Sequence, residues 1–122
     1  MSIKLEILED RFSICKVADY SMTDLSDKFV FTGATDQENS LICPEKAVPG
    51  NTLERDDGWR GFRLSGTYEF SLIGILARIA NILAERRISI MAVSTYNTDY
   101  VFIKAEYFDG ALKALSENGY EL

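Results

Sequence analysis

The chain has 122 residues, a net charge of −6 and no histidine. The acidic balance argues against a nucleic-acid surface, which needs clustered lysine and arginine, and the missing histidine removes the commonest general base and the commonest metal ligand. No apolar stretch is long enough for a signal peptide or a membrane helix. We therefore expect a cytoplasmic protein that is not an enzyme, uses no metal or cofactor, and binds neither nucleic acid nor membrane.

The first half of the chain predicts short strands separated by turns. Residues 3–8 and 12–17 are expected to form strands around a turn at 9–11. Ser21 is expected to cap a short helix over 22–28. The further elements predicted in this half are strands at 29–32 and 40–43, a helical turn at 44–47 and a linker at 49–58.

The second half predicts a strand at 59–65 and then a helix. From Leu72 the apolar residues follow the i, i+3, i+4, i+7 spacing of a helix, which we expect to extend to about residue 86. Ser71 is well placed to cap the first turn, and Gly74 is predicted to lie in that turn. The apolar stripe consists of Leu72, Ile75, Leu76, Ile79 and Leu83.

Two strands and a second helix complete this half. Residues 88–94 and 100–104 are rich in β-branched and aromatic residues, and turn residues at 97–99 join them into a predicted hairpin. A helix over 107–117 and a short strand at 120–122 are expected to follow. The order β-α-β-β-α-β is the ferredoxin-like arrangement, so the fold class is α+β.

Cys15 and Cys43 each lie in an apolar run. Cysteine in such a run behaves as a small buried hydrophobe, so we expect reduced, inert thiols and no disulfide or nucleophile. Two isolated cysteines without histidine make no zinc ligand set. Catalysis by a pair of carboxylates stays open on composition, but no spacing singles out a pair.

Segment 72–90 resembles the signature of ACT domains. Members of that family carry a Pro-Gly pair where the helix begins, an apolar helix ending in Leu-Ala-Glu, and a Gly-Ile-Asn-Ile-like run before the second strand. Gly74 matches the family glycine, and residues 88–90 match the run before the second strand. The chain departs from the pattern at Ser71, Ile73 and Arg87, where aspartate, proline and glycine are usual.

Segments 40–45 and 90–103 are similar to the small bacterial proteins with two ACT domains, which are related to aspartokinase regulatory domains, and to the CASTOR-type arginine sensors. The resemblance implies two ferredoxin-like (βαββαβ) ACT-type subdomains, each an antiparallel sheet with helices on one face. The expected division is a degenerate ACT-like subdomain over 1–57 and an ACT domain over 58–122. No residue pattern recurs strongly enough to prove the repeat.

The resemblance also implies a regulatory module that binds a free amino acid or a similar small zwitterion. In the family such ligands lie against the loop from the first strand to the first helix, commonly at an interface between two ACT units. A homodimer through ACT sheet or helix surfaces is one assembly that would form such an interface. The carboxylate is expected at backbone N–H groups near Gly74 and the ammonium at Ser94 or Thr95, while Asp99 is expected to pair with the ammonium or with a basic side chain of the ligand. The implied residues are Phe70, Ser71, Leu72, Ile73, Gly74, Ile75, Ser94, Thr95, Asn97, Thr98 and Asp99.

Simpler roles for several of these residues stay open. Gly74 is also explained if it only relieves crowding, Ser71 if it only caps the helix, and residues 97–99 if they only form a turn. For Tyr96, Tyr100 and Phe102, packing is favoured over ligand contact. The alternative function is a ligand-free structural or protein-interaction module with an ACT-like fold, and an RNA-binding sheet is disfavoured by the acidic charge.

Overall fold

A computed structural model describes residues 3–65 and 74–122. By their contacts these residues fall into two compact units. Unit 1 consists of Met1–Glu9 and Arg60–Leu122, and unit 2 is the continuous stretch Asp10–Trp59. Within the described ranges, neither helix has the length and apolar character needed to cross a membrane.

The described residues contain six strands, two α-helices and one 3-10 turn. Strands β1 (Leu5–Val17) and β4 (Thr52–Leu64) have 13 residues each, and both contribute to the two units. The other elements, in chain order, are β2 (Phe31–Ala34), β3 (Asn39–Pro44), the 3-10 turn Glu45–Ala47, α1 (Ile75–Glu85), β5 (Met91–Ser94), β6 (Asp99–Lys104) and α2 (Ala105–Glu117).

Unit 1 is a sheet with the strand order β1-β4-β6-β5 and with both helices packed against one face. The predicted helical stripe is confirmed where it is described, because Ile79 and Leu83 are fully buried and Ile75 and Leu76 pack against the same core. This arrangement confirms the α+β class. The core of unit 1 consists of Leu5, Phe62, Leu64, Ile79, Leu83, Val101, Ile103, Phe108, Ala111, Ala114, Leu115 and Tyr120.

Unit 2 has the strand order β2-β3-β1-β4 and, over its fully described residues 10–59, no α-helix. The helix predicted over 22–28 is wrong. Asp19 accepts hydrogen bonds from the backbone N–H and hydroxyl of Ser21, and Asp24 accepts the same pair from Ser26. These Asx turns give the backbone polar partners that compete with a helix.

Two other predictions for the first half are also wrong. The turn expected at 9–11 is part of the continuous strand β1, and most of the linker expected at 49–58 belongs to β4. Polar groups of both segments have partners elsewhere in unit 2, as in the ion pair of Arg11 with Glu45 at 3.8 Å. Asp57 accepts a hydrogen bond from Ser13 Oγ at 2.7 Å, and Glu45 accepts one from the N–H of Gly58 at 2.7 Å.

The hairpins of the two units have the same register. In unit 2, Phe31 pairs with Ile42, and in unit 1, Met91 pairs with Phe102, so both partners are displaced by 60 residues. The helical element that follows each hairpin begins at residue 45 in unit 2 and at residue 105 in unit 1, again 60 residues apart. The hairpin and the helical element after it therefore recur in the backbone at a spacing of 60 residues.

The turns of the two hairpins are closed by the same hydrogen bonds. Thr35 donates its backbone N–H (2.9 Å) and its Oγ1 (3.4 Å) to the carbonyl of Glu38. Thr95 donates the same two groups to the carbonyl of Thr98, at 2.8 and 2.9 Å. A threonine at the first position of each turn thus fixes the same loop in both units.

Gly61 is required by the close approach of β6 to β4. A Cβ added there would lie 2.8 Å from the ring of the fully buried Phe102, whereas a Cβ at Gly110 in α2 would meet nothing within 4 Å. We expect Gly61→Ala to lower the free energy of unfolding by about 1–3 kcal/mol. Gly110→Ala should raise it by about 0.5–1 kcal/mol, because alanine is the better helix former. Urea denaturation of both variants measures the contrast, and equal stabilities would contradict it.

Both cysteines are buried, as predicted, with Cys15 3% and Cys43 2% exposed. Burial raises the pKa of the Cys43 thiol to about 12, so the thiol is protonated at neutral pH. We expect no labelling of either cysteine by an aromatic disulfide reagent in the native protein and complete labelling in denaturant. Rapid labelling of native protein would show that one of the thiols is accessible.

Candidate functional site

The end of β4 leads into the loop where the ligand is expected. Leu64 is the last residue of the strand, and the N–H of Ser65 donates to the carbonyl of Lys4 at 2.9 Å. The start of the loop is therefore fastened to the N-terminal end of the chain. Four predicted site residues lie outside the described residues, namely Phe70, Ser71, Leu72 and Ile73.

Gly74 immediately precedes α1 and does not lie in its first turn, which corrects the prediction. Its φ of 86° and ψ of 7° fall in the left-handed region, which glycine adopts without the penalty of a Cβ. Its carbonyl accepts the N–H of Arg78 at 2.9 Å. Ile75 is then the first helical residue and is half-buried against the core of unit 1.

The hairpin turn between β5 and β6 lies against the end of β4. Thr98 donates its Oγ1 to the carbonyl of Leu64 at 3.0 Å. Ser94 and Asp99 are directly paired where the two strands leave the turn. The predicted site residues of the hairpin therefore lie next to Leu64, the last strand residue before the strand-to-helix loop.

A surface depression of about 260 Å³ adjoins this turn within unit 1. Three of its lining residues belong to the predicted site, and four do not. The lining residues are Thr95, Asn97 and Thr98 from the turn, and Glu6, Arg63, Leu64 and Tyr100 from strands β1, β4 and β6.

One ion pair forms the polar wall of this depression. Arg63 donates Nη2 to Glu6 Oε1 at 2.9 Å and Nε to Oε2 at 3.1 Å, which is a bidentate arrangement. Its Nη1 donates to the hydroxyl of Tyr100 at 3.2 Å. The hydrogen bonds and charge of Arg63 hold the pKa of Glu6 below its usual value, and those to Glu6 and Tyr100 raise the pKa of Arg63. Both groups are therefore charged at neutral pH.

Sequence reasoning missed Glu6 and Arg63 and misjudged one of the aromatic residues. Tyr96 does not pack, because its side chain is fully exposed at the tip of the turn, whereas Phe102 is fully buried. Glu6 and Arg63 are 57 positions apart, and each is only one polar residue in an alternating strand. No local signal could have paired them.

No group of three or more carboxylates or thiols is placed to hold a metal ion among the residues that the structure describes. The polar groups of the depression are instead a cation, an anion, hydroxyls and a carboxamide. Such a set binds small polar molecules through hydrogen bonds and charge.

A sequence profile for the ACT domain matches residues 54–117, more than half of the 122-residue chain. The chain belongs to the ACT domain family. The matched ACT residues include helix α1 and, from the border of the depression, the end of β4 and the β5–β6 hairpin. No curated protein sequence matches the chain significantly.

Solved structures share the fold of this ACT protein over nearly its full length. A protein from Agobacterium tumefaciens is 27% identical with a TM-score of 0.89, covering 100% of this chain and 92% of that chain. A Vibrio cholerae protein of unknown function, described as a possible transport protein, is 23% identical with a TM-score of 0.72, covering 95% and 89%. The ligand-free regulatory subunit of aspartate kinase from Thermus thermophilus is 13% identical with a TM-score of 0.64, covering 96% and 97%. The last two likenesses show the fold alone, which is that of aspartokinase regulatory ACT domains.

The two ends of α1 allow a reciprocal test of backbone strain. Gly74 before the helix has a φ of 86°, and Arg87 after it has a φ of 59°, at the position where ACT domains usually carry glycine. We expect Gly74→Ala to lower the free energy of unfolding by about 1–2 kcal/mol and Arg87→Gly to raise it by about 0.5–1 kcal/mol. Thermal and urea unfolding measure both changes. A stabilised Gly74→Ala variant would contradict the left-handed conformation.

Proposed function

We propose that this ACT protein is a regulatory module that binds a free amino acid at the strand-to-helix loop and the adjacent hairpin turn. The observation that carries the proposal is the hydrogen bond from Thr98 Oγ1 to the carbonyl of Leu64. It joins the turn to the point where the loop begins. The hairpin segment that the family resemblance assigns to the ligand therefore lies at the end of β4, after which the strand-to-helix loop begins.

The chemistry of these segments suits a zwitterion. Backbone N–H groups at the start of α1, directly after Gly74, favour a carboxylate because they are free of intrahelical partners and lie at the positive end of the helix dipole. Ser94 and Asp99 are opposite each other in the hairpin, so their side chains lie on one face and can bind an ammonium group together. Thr95 Oγ1 already donates to Thr98 and retains only its acceptor role.

The proposed role is regulation without catalysis. ACT domains generally bind amino acids and often dimerise, so a homodimer through sheet or helix surfaces is the assembly that we propose. We also propose a cytoplasmic location, where free amino acids are the available ligands. The regulated partner would respond to occupancy of the site and not to a reaction product.

We further propose that residues 1–57 are a degenerate ACT-like subdomain and residues 58–122 the ACT domain. The shared hairpin register and the shared threonine turns support a common origin of the two halves. In the order of elements along the chain, turns over residues 18–30 take the place in the first half that α1 has in the second. The 3-10 turn Glu45–Ala47 takes the place of α2.

A thermal-shift screen with each of the 20 common free amino acids tests the function. We expect at least one of them to raise the melting temperature, since a ligand that binds only the native state stabilises it. If none does so and isothermal titration also detects no binding, the protein is a ligand-free structural or interaction module.

Asp99→Ala then tests the ammonium site by isothermal titration with the amino acid that the screen identifies. We expect binding to weaken by about 1–3 kcal/mol through loss of a charge-assisted hydrogen bond. Asp36→Ala, which removes a carboxylate from the turn of unit 2, is the matched control and should bind as wild type does. Equal affinities of wild type and Asp99→Ala would exclude Asp99 from the site.

Gly74→Asn tests the carboxylate site in the same titration. Asparagine tolerates the left-handed conformation, so the helix start should persist while a side chain is added beside its N–H groups. Weakened binding with an unchanged melting temperature of the free protein is the expected result. Unaltered affinity would place the carboxylate elsewhere.

A further inference from the structure

The first half of β4, which belongs to unit 2, has a neighbouring strand on one side only among the described residues. Strand β4 lies between β1 and β6 in the sheet order, and β1 borders it along its length in unit 2. On the other side Phe102 of β6 lies against Gly61. Because the two strands are antiparallel, β6 ends at Lys104 before it reaches residue 57 of β4. Residues 52–57, called the β4 edge below, are therefore open on that side.

The corresponding edge of unit 1 is covered. Strand β1 is the outer strand of unit 1 in the same way as β4 is the outer strand of unit 2. The N–H of Leu5 donates to the carbonyl of Glu121 at 2.7 Å, and the N–H of Glu121 donates to the carbonyl of Ile3 at 2.9 Å. No described residue forms such a bridge at the β4 edge. An uncovered edge presents N–H and C=O groups with which an added strand can pair.

The side chains of the β4 edge are exposed, and two depressions adjoin them. Leu53 is 62% exposed, and residues 54–57 are exposed as well. One depression of about 320 Å³ and another of about 340 Å³ both include Glu54 and Arg55 in their linings. A segment that adds to a sheet edge binds through main-chain hydrogen bonds, and pockets for its alternate side chains give specificity. The β4 edge has both features.

The charge at this edge is negative. Unit 2 has ten acidic and five basic residues, a net charge of −5. Glu54 and Asp56 are two positions apart in a strand, so their side chains lie on one face, and Leu53 lies on the other. The lining of the 320 Å³ depression has three carboxylates and two cations. One of these cations, Arg55, donates its Nε to the carboxylate of Asp57 at 2.9 Å.

A second copy of this chain does not match the edge. Two-fold pairing of two β4 edges in one continuous sheet brings residues of the same face opposite each other. A pairing centred on residue 54 places two copies of Glu54 side by side, and one centred on residue 55 places Glu54 opposite Asp56. Like charges directly opposite each other are destabilising. A strand with lysine or arginine at alternate positions instead has a cation for each of these carboxylates and an apolar side chain for Leu53.

We propose that the β4 edge binds an extended segment of a partner protein in which basic residues alternate with apolar ones. The main chain of β4 supplies the hydrogen bonds of the added strand. Glu54 and Asp56 supply the selectivity, because they attract basic segments and repel acidic ones. The residues of this surface belong to unit 2, whereas those of the proposed amino-acid site belong to unit 1.

The probe is the peptide acetyl-Lys-Val-Lys-Val-Lys-Val-amide, and its matched control has proline in place of each valine. The two peptides have the same charge, but proline has no N–H to donate and does not fit a regular strand. The full chain is titrated with each peptide at low ionic strength. The valine peptide should bind at least about tenfold more tightly and should slow amide hydrogen exchange at the β4 edge. Equal binding of the two peptides, no binding of the valine peptide, or protection elsewhere would overturn the inference.

Glu54→Lys tests the contribution of charge. The affinity for the valine peptide should fall by at least about tenfold, because attraction becomes repulsion. Glu85→Lys makes the same charge change at an exposed position of α1 and should bind the peptide as wild type does. Circular dichroism checks that both variants are folded. An equal loss in both variants would show a general charge effect and overturn the inference.

Sedimentation of wild type and Glu54→Lys tests the other occupant. A wild-type dimer that dissociates in this variant would assign the edge to a second copy and would also overturn the inference. Neither experiment uses a free amino acid. The result is therefore independent of the proposed function, which the thermal-shift screen tests separately.

Discussion

The packing of Phe102 on Gly61 is the constraint on which the candidate site depends. The ring reaches the backbone of β4 only because residue 61 has no Cβ. Beyond this contact, Tyr100 is hydrogen-bonded to Arg63 and Thr98 to Leu64. The residue numbers therefore fall along β6 as they rise along β4, as in antiparallel strands. The register that brings the turn to the end of β4 and the tyrosine to the ion pair therefore requires glycine at position 61.

Much of unit 1 could be predicted from the sequence because its signals are local. The apolar stripe of α1 and the turn residues of the β5–β6 hairpin each lie within about a dozen positions, and both elements are observed. At the beginning of unit 2, polar residues resemble turn residues without forming a turn. Asp10 and Arg11, predicted in a turn, lie in a strand and form ion pairs with Lys46 at 3.7 Å and Glu45 at 3.8 Å. The two members of each ion pair are distant in the sequence. The alternation of polar and apolar residues within one segment therefore does not reveal that the segment is a strand.

The residues of the candidate site also divide into those that could be predicted from local sequence signals and those that could not. Thr95, Asn97 and Thr98 could be proposed from turn chemistry and family resemblance, and they line one depression. Glu6 and Arg63 could not, because their relation arises from the pairing of β1 with β4. The family position identifies Gly74 but not its left-handed backbone, since no composition signal separates a glycine before a helix from one inside its first turn.

The two units differ in how their chain is assembled, and this has a consequence for folding during synthesis. Unit 2 is one continuous segment, whereas the core of unit 1 includes Leu5 as well as Leu115. Lys4 and Glu121 also pair directly. Contacts over such separations carry a large loop-closure cost and form late. On the ribosome, unit 2 can therefore fold while α2 is still being made, and Lys4 and Leu5 must stay without their partner Glu121 until the residues after α2 emerge.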